Sequence, residues 1–346
     1  MNLSSLDIFK PYDVLLVDVY GVLWDGSKPI EGAAEALEKL KNQGKYIIIL
    51  SNTTQLSGAA IEKFVPKGFV KGRHYHEYIT SGEVLHQEIC LGKLDFKGCS
   101  NPEKYYQFGT PNKKLFSDSK YIEVDSLDKA DFVYISIPQI SEEELGKVPV
   151  ELRDSIFEST LPKEGIERCW DSTDLDVFMP EIERIVLRGL PVLNANPDLR
   201  AAEVSLVESN ESATVNFVIR QGAIAEKLQE LGLEVVQTGK PYVSVYEYAF
   251  KLLEDRFNWS DKGGNISRVC MIGDTLETDI MGASNASSKL GINVDSALTL
   301  TGVTANLVSQ MVSPSETVAS QRFLDRLKKI CHSKKIVPIH IIKKLG

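Results

Sequence analysis

The sequence predicts an α/β protein built on a mostly parallel sheet with helices on both faces. Three observations carry this. Short runs of Val, Ile and Leu without polar alternation occur at 12–19 (YDVLLVDV), 45–50 (KYIIIL) and 268–272 (RVCMI), as expected of strands buried on both faces. Segments with helical spacing of apolar residues alternate with them, at 31–42, 222–231 and 244–257. Finally, the predicted strands stop on polar residues: Asp18, Ser51-Asn52, Lys240 and Asp274.

Taken in order, strand 12–19, helix 31–42 closed by Gly44, and strand 45–50 make a βαβ unit. The pattern returns late in the chain. A helix at 222–231 is followed by a short strand at 234–238, a helix at 244–257, a strand at 268–272 and a helix at 277–288. Alternation of this kind implies a parallel sheet covered on both sides. The middle reads differently. It has polar loops such as 101–119, strand candidates at 132–137 and 190–194, and helical stretches between, so it is expected to be an inserted α/β domain. The expected division is a core of 1–85 and 220–346 and an insertion of 86–219. A basic helix at 321–335 and a final strand at 336–342 close the chain.

Length and composition fit two globular domains: 346 residues, 43% hydrophobic and 25% charged. A net charge of −9 argues against nucleic acid or an anionic membrane as the main partner. The five cysteines are odd in number and form no C-x-x-C pair, which fits a reducing compartment. No basic-then-apolar leader and no bilayer-length apolar run is present, so the expected location is cytoplasmic.

The polar clusters make chemical sense together. In parallel α/β sheets, ligands bind beyond the carboxyl ends of the strands, so Asp18, Ser51, Lys240 and Asp274 can converge on one pocket. A carboxylate such as Asp18 can attack phosphorus to give an aspartyl-phosphate. Mg²⁺ prefers oxygen ligands, which Asp18, the Tyr20 carbonyl and Asp274 supply. Ser51 and Asn52 can donate to equatorial phosphoryl oxygens, and Lys240 can neutralise the charge on the transferring group. Each cluster alone has a plainer explanation as a helix cap or turn; four at strand ends in one chain are harder to explain that way.

These residues resemble the four motifs of the haloacid dehalogenase (HAD) superfamily, and most closely its class IIA, which holds p-nitrophenyl, phosphoglycolate, pyridoxal-phosphate and nucleotide monophosphatases. The matching stretches are LLVDVYGVLWDGSKPIEGA, IIILSNTT, VVQTGKPYVSVYEYAF and VCMIGDTLETDIMGASNA, with NANPDL (194–199) late in the insertion. The resemblance implies a Rossmann-like doubly wound core with an inserted class 2 cap. It implies Asp18 as nucleophile and metal ligand, Tyr20 as ligand through its carbonyl, and Asp274 as metal ligand. Asp279 follows as a further ligand or its partner, and Ser51, Asn52 and Lys240 hold the phosphoryl group. Asn196 and Asp198 are candidates to face the substrate, a turn being the equal alternative. The implied cofactor is Mg²⁺ and the implied substrate a small phosphorylated metabolite; relatives of this class often dimerise through the cap.

One position departs from the phosphatase pattern. The residue two after the nucleophile is a second Asp there, the general acid and base, and here it is Tyr20. A phenol with an unperturbed pKa near 10 is a poor base at neutral pH, and general acid–base catalysis is worth about 10²–10⁴-fold. Three readings therefore compete: a phosphatase with an altered acid, suited to aryl or acyl phosphates; a dehalogenase-like hydrolase, whose halide leaves without a proton; and a phosphate-ligand binding or regulatory protein that has lost efficient turnover.

Overall fold

The computed structural model describes residues 6–159, 168–205, 214–257, 268–310 and 320–346. The first unit comprises Met1–Ser51, Ser57–Thr80 and Gly239–Gly346, and the second Asn52–Leu56 and Ser81–Thr238.

In chain order, the first unit begins with β1 (Val14–Val17), α1 (Ala33–Asn42), β2 (Tyr46–Ser51), α2 (Ser57–Phe64) and β3 (Glu77–Thr80). The chain then builds the second unit: α3 (Ser81–Cys90), β4 (Lys104–Phe108), β5 (Ile122–Val124), β6 (Phe132–Ile135), α4 (Glu142–Leu145), β7 (Ile156–Glu158) and β8 (Trp170–Ser172). It continues through α5 (Met179–Arg188), β9 (Val192–Asn194), β10 (Arg200–Ser205), β11 (Thr214–Ile219), α6 (Gln221–Glu230) and β12 (Val235–Gln237). The first unit resumes with α7 (Ser244–Phe257), β13 (Val269–Gly273), α8 (Met281–Leu290), β14 (Val294–Thr299), α9 (Val303–Gln310), α10 (Gln321–Lys334) and β15 (His340–Ile342).

The first unit's sheet runs β15-β14-β13-β1-β2-β3, all parallel. β1 is buried at every position because helices cover both faces. On one side Leu15, Val17 and Ile47 pack with Ala36, Leu37 and Leu40 of α1. Elsewhere Leu298 packs with Phe323, Leu324 and Leu327 of α10. From β1 the chain moves outward through β2 and β3, and on its return builds β13, β14 and β15 on the other side. The strand order therefore reverses between β1 and β13, the place where such sheets bind ligands.

The second unit has its own five-stranded parallel sheet, β12-β9-β6-β4-β5, and two antiparallel hairpins, β7–β8 and β10–β11. Two corrections to the sequence expectation follow. The stretch 101–119 is not all loop, because Lys104–Phe108 forms β4, a central strand that pairs with both β5 and β6. Its Tyr-Tyr-Gln centre hid it from a search for aliphatic runs. The units also divide at 81 and 239 rather than at 86 and 220. Helix α6 packs Ile224, Ala225 and Leu228 against Val133, Ile135 and Val192 of the second sheet, and β12 pairs with β9. Among the described residues no helix is long and apolar enough to cross a membrane.

Candidate active site

Register sets the site. β1 pairs with β13 at Val17↔Ile272 and with β2 at Val17↔Ile49, so Asp18 leaves the sheet beside Gly273-Asp274. The Asp18 amide donates to the Ile272 carbonyl at 2.9 Å, which fixes the nucleophile candidate one step past the strand. The chain then turns sharply: the Gly21 amide donates to the Trp24 carbonyl at 2.8 Å, and the Thr299 and Thr301 hydroxyls both donate to the Gly21 carbonyl.

Asp18, Asp274 and Asp279 are buried, and a carboxylate oxygen from each lies within 4.8 Å of the others. Lys240, which is 2% exposed, bridges two of them: its Nζ is 2.6 Å from Asp18 Oδ1 and 2.7 Å from Asp279 Oδ1. Backbone amides hold the rest. Asp279 Oδ2 accepts from the Asp274 and Thr275 amides, both at 3.1 Å, across the π-helical turn Leu276–Ile280 that leads into α8. Asp274 accepts from the Val303 amide through Oδ2 at 2.6 Å and from the Thr275 hydroxyl through Oδ1 at 3.2 Å. Burial, followed by the nearby Asp279 and Asp18 carboxylates, pushes the Asp274 carboxyl well above the usual carboxylate range.

Space at the site is kept by glycine. A Cβ at Gly21, whose φ is +75°, would run into the Asp274 carboxyl, as would a Cβ at Gly302; one at Gly273 would run into Asp279. The donor set is all oxygen and mostly carboxylate, the kind a hard divalent cation such as Mg²⁺ takes, so the residues fit that group.

The other expected residues lie as follows. Ser51 ends β2, is buried, and hydrogen-bonds the hydroxyl of buried Tyr78. Tyr20 is 41% exposed, with the Lys67 ammonium 5.6 Å from its ring centroid. Asn52, Asn196 and Asp198 belong to the second unit and are joined there. Asn52 Nδ2 donates to Asp198 Oδ1 at 2.9 Å, the Asp198 amide donates to Asn196 Oδ1 at 2.9 Å, and Asn196 Nδ2 donates to Gln221 Oε1 at 3.3 Å. The 194–199 segment is thus a side-chain-capped turn.

Sequence reasoning missed the contribution of β14 and the turn after it, from Thr299 through Val303. The strand VDSALT is short and carries Asp295 and Ser296, so it does not stand out as a buried run. The signal that could have found it is Thr301-Gly302, a polar, flexible stop of the kind already used for the other strands.

Comparison with known proteins finds two family matches and several relatives of the whole chain. The haloacid dehalogenase-like hydrolase family matches residues 15–95, and the HAD-hydrolase-like family matches residues 237–322. The 4-nitrophenylphosphatase of Schizosaccharomyces pombe is 24% identical over 337 residues, spanning 94% of this chain and 96% of that one. A possible sugar phosphatase of the HAD superfamily from Cytophaga hutchinsonii has the same fold, with a TM-score of 0.63 at 20% identity, covering 100% of this chain and 98% of that one. Glycerol phosphate phosphatase from Mycobacterium tuberculosis, solved in complex with magnesium, aligns with a TM-score of 0.53 at 18% identity, covering 98% and 76%. The fold and the two matched segments are similar to those of haloacid dehalogenase-like hydrolases. Among such hydrolases the chain most resembles class IIA, with Tyr20 where the second Asp of the first motif stands.

Proposed function

We propose that the chain is a Mg²⁺-dependent phosphatase acting on a small phosphorylated metabolite through an aspartyl-phosphate on Asp18. The observation that supports this most is the buried cluster of Asp18, Asp274 and Asp279 around a single ammonium, that of Lys240. Fully ionised, three carboxylates against one ammonium leave two uncompensated negative charges in a buried site, which one divalent cation offsets.

Asp18, Asp274 and the Tyr20 carbonyl would hold the cation, with Asp279 behind them. Bound there, Mg²⁺ supplies charge that lets a phosphate dianion approach a carboxylate. Asp18 Oδ attacks phosphorus, the bond to the ester oxygen breaks, and water then hydrolyses the acyl phosphate. Lys240 orients Asp18 and offsets its charge, while Ser51 donates to a phosphoryl oxygen. The metal-type cluster supports this reading over halide displacement, which needs no cation. The Tyr20 phenol favours aryl or acyl phosphates, whose leaving groups need little protonation. It also keeps open a second reading, binding without efficient turnover.

The test is release of inorganic phosphate from 4-nitrophenyl phosphate and from alkyl phosphates, with Mg²⁺ or with EDTA. Expected are Mg²⁺-dependent turnover, faster on the aryl ester, and at least a 10³-fold loss in Asp18→Asn. Tight phosphate binding with no turnover of either ester would overturn the proposal in favour of the second reading.

A further inference from the structure

The turn after Asp18 is gripped by a stretch of the first unit far away in sequence. Residues 299–303 run from the last position of β14 to the first of α9 and make two attachments. The Thr299 and Thr301 hydroxyls both donate to the Gly21 carbonyl, and the Val303 amide donates to Asp274 Oδ2 at 2.6 Å. A carbonyl oxygen has two lone pairs, so two hydroxyls can occupy both. Thr299 also lies 3.4 Å from the Gly273 carbonyl and has one proton to share between the two acceptors, whereas Thr301 donates to Gly21. The peptide unit on the other side of Gly21 is held as well, because the Gly21 amide donates to the Trp24 carbonyl at 2.8 Å. A trans peptide is planar with its C=O opposed to its N–H, so that bond also sets the direction of the Tyr20 carbonyl, which shares the plane. Gly21 is thus fixed from both sides at φ +75°, in the left-handed region. The same two segments bound Asp274, since a Cβ at Gly21 or at Gly302 would run into its carboxyl.

We propose that Thr301 is a positioning residue for the cation site: its hydroxyl, backed by that of Thr299, holds Gly21 and through it sets the Tyr20 carbonyl relative to Asp274. The proposal rests on the phosphatase reading above, in which these two oxygens hold Mg²⁺. Mg²⁺ demands near-ideal octahedral geometry, so oxygens already in place bind it better than oxygens that must be gathered. A backbone carbonyl cannot be tuned by the side chain of its own residue. Its orientation is what the protein can fix, and the hydrogen bonds on either side of Gly21 fix it. Thr301 touches neither substrate nor phosphorus in this scheme, and its hydroxyl keeps its proton throughout. Without that hydroxyl the Gly21 carbonyl keeps only the donor that Thr299 shares with Gly273.

The experiment measures Mg²⁺ affinity by titration calorimetry, and the melting temperature in EDTA, for the unmodified chain, Thr301→Val and Thr301→Ser. Val keeps the shape of Thr and lacks the hydroxyl; Ser keeps the hydroxyl and lacks the methyl. Partners that orient metal ligands commonly carry about 10–100-fold in affinity, so the Kd for Mg²⁺ is expected to rise by about tenfold or more in Thr301→Val. In Thr301→Ser it should return close to that of the unmodified chain. The melting temperature of Thr301→Val in EDTA should fall by no more than about 4 °C, as one lost hydrogen bond implies. A Thr301→Ser chain that binds as weakly as Thr301→Val would overturn the assignment. So would a Thr301→Val chain that fails to fold in EDTA, because the hydroxyl would then serve the fold rather than the site. Unchanged Mg²⁺ affinity in Thr301→Val overturns this proposal alone, whereas no Mg²⁺ binding by the unmodified chain overturns the Mg²⁺-dependent phosphatase reading and this proposal with it.

Discussion

At the scale of single residues, Asp274 carries the clearest consequence. Its folded carboxyl holds a proton more tightly than the unfolded chain does, because burial and the carboxylates of Asp279 and Asp18 disfavour its charge. The folded state therefore binds more protons than the unfolded one once pH exceeds the ordinary carboxylate value of about 3.9, and without metal its stability falls as pH rises through that window. A divalent cation must displace this proton to use the oxygen, so its binding strengthens with pH. We expect the increase in melting temperature produced by Mg²⁺ over EDTA to grow from pH 5 to pH 8. In Asp274→Asn the metal-free protein should lose that decline and the Mg²⁺ gain should largely vanish. A Mg²⁺ gain independent of pH, or retained in Asp274→Asn, would place the cation elsewhere.

Among elements, α7 shows how a helix can be read correctly while its detail is not. The spacing at 244–257 gave the helix at its observed bounds, and Val245, Tyr246, Ala249, Phe250 and Leu253 are buried as that spacing implies. What spacing does not reveal is that the Tyr246 hydroxyl is buried with no hydrogen-bond partner among the described residues and lies against Gly282 of α8, where a Cβ would collide with it. An unsatisfied buried hydroxyl costs about 1–3 kcal/mol. Tyr246→Phe is therefore expected to leave denaturant stability unchanged or raise it by up to about 1 kcal/mol; a loss of more than that would mean the hydroxyl is bonded in solution. The same divide runs through the rest of the chain. Strands buried on both faces, β1, β2 and β13, announce themselves as aliphatic runs, and their polar stops marked Asp18, Ser51 and Asp274. Aromatic or polar strands such as β4 and β14 do not, because their burial comes from neighbours distant in sequence: β4 lies between β5 and β6, and β14 between β13 and β15.

For the molecule as a whole, the division into two units has a measurable side. The second unit carries its own sheet and two apolar clusters, one around Val133, Ile135 and Val192 and one around Phe132, Tyr134 and Leu193. A fragment of residues 81–238 is expected to fold by itself and melt cooperatively, with a melting temperature indifferent to Mg²⁺, while the full chain responds to the cation. A fragment with no cooperative transition, or one stabilised by Mg²⁺, would contradict this. The glycines at 21, 273 and 302 close the matter from another direction. They come from three separate strand ends, and each gives up a side chain to leave room for a carboxylate. At Gly273 and Gly302 the acidic cluster alone asks for glycine; at Gly21 the left-handed backbone asks for it as well. Crowding at any of these three positions would therefore displace the carboxylates of Asp274 or Asp279 without changing a single acidic residue.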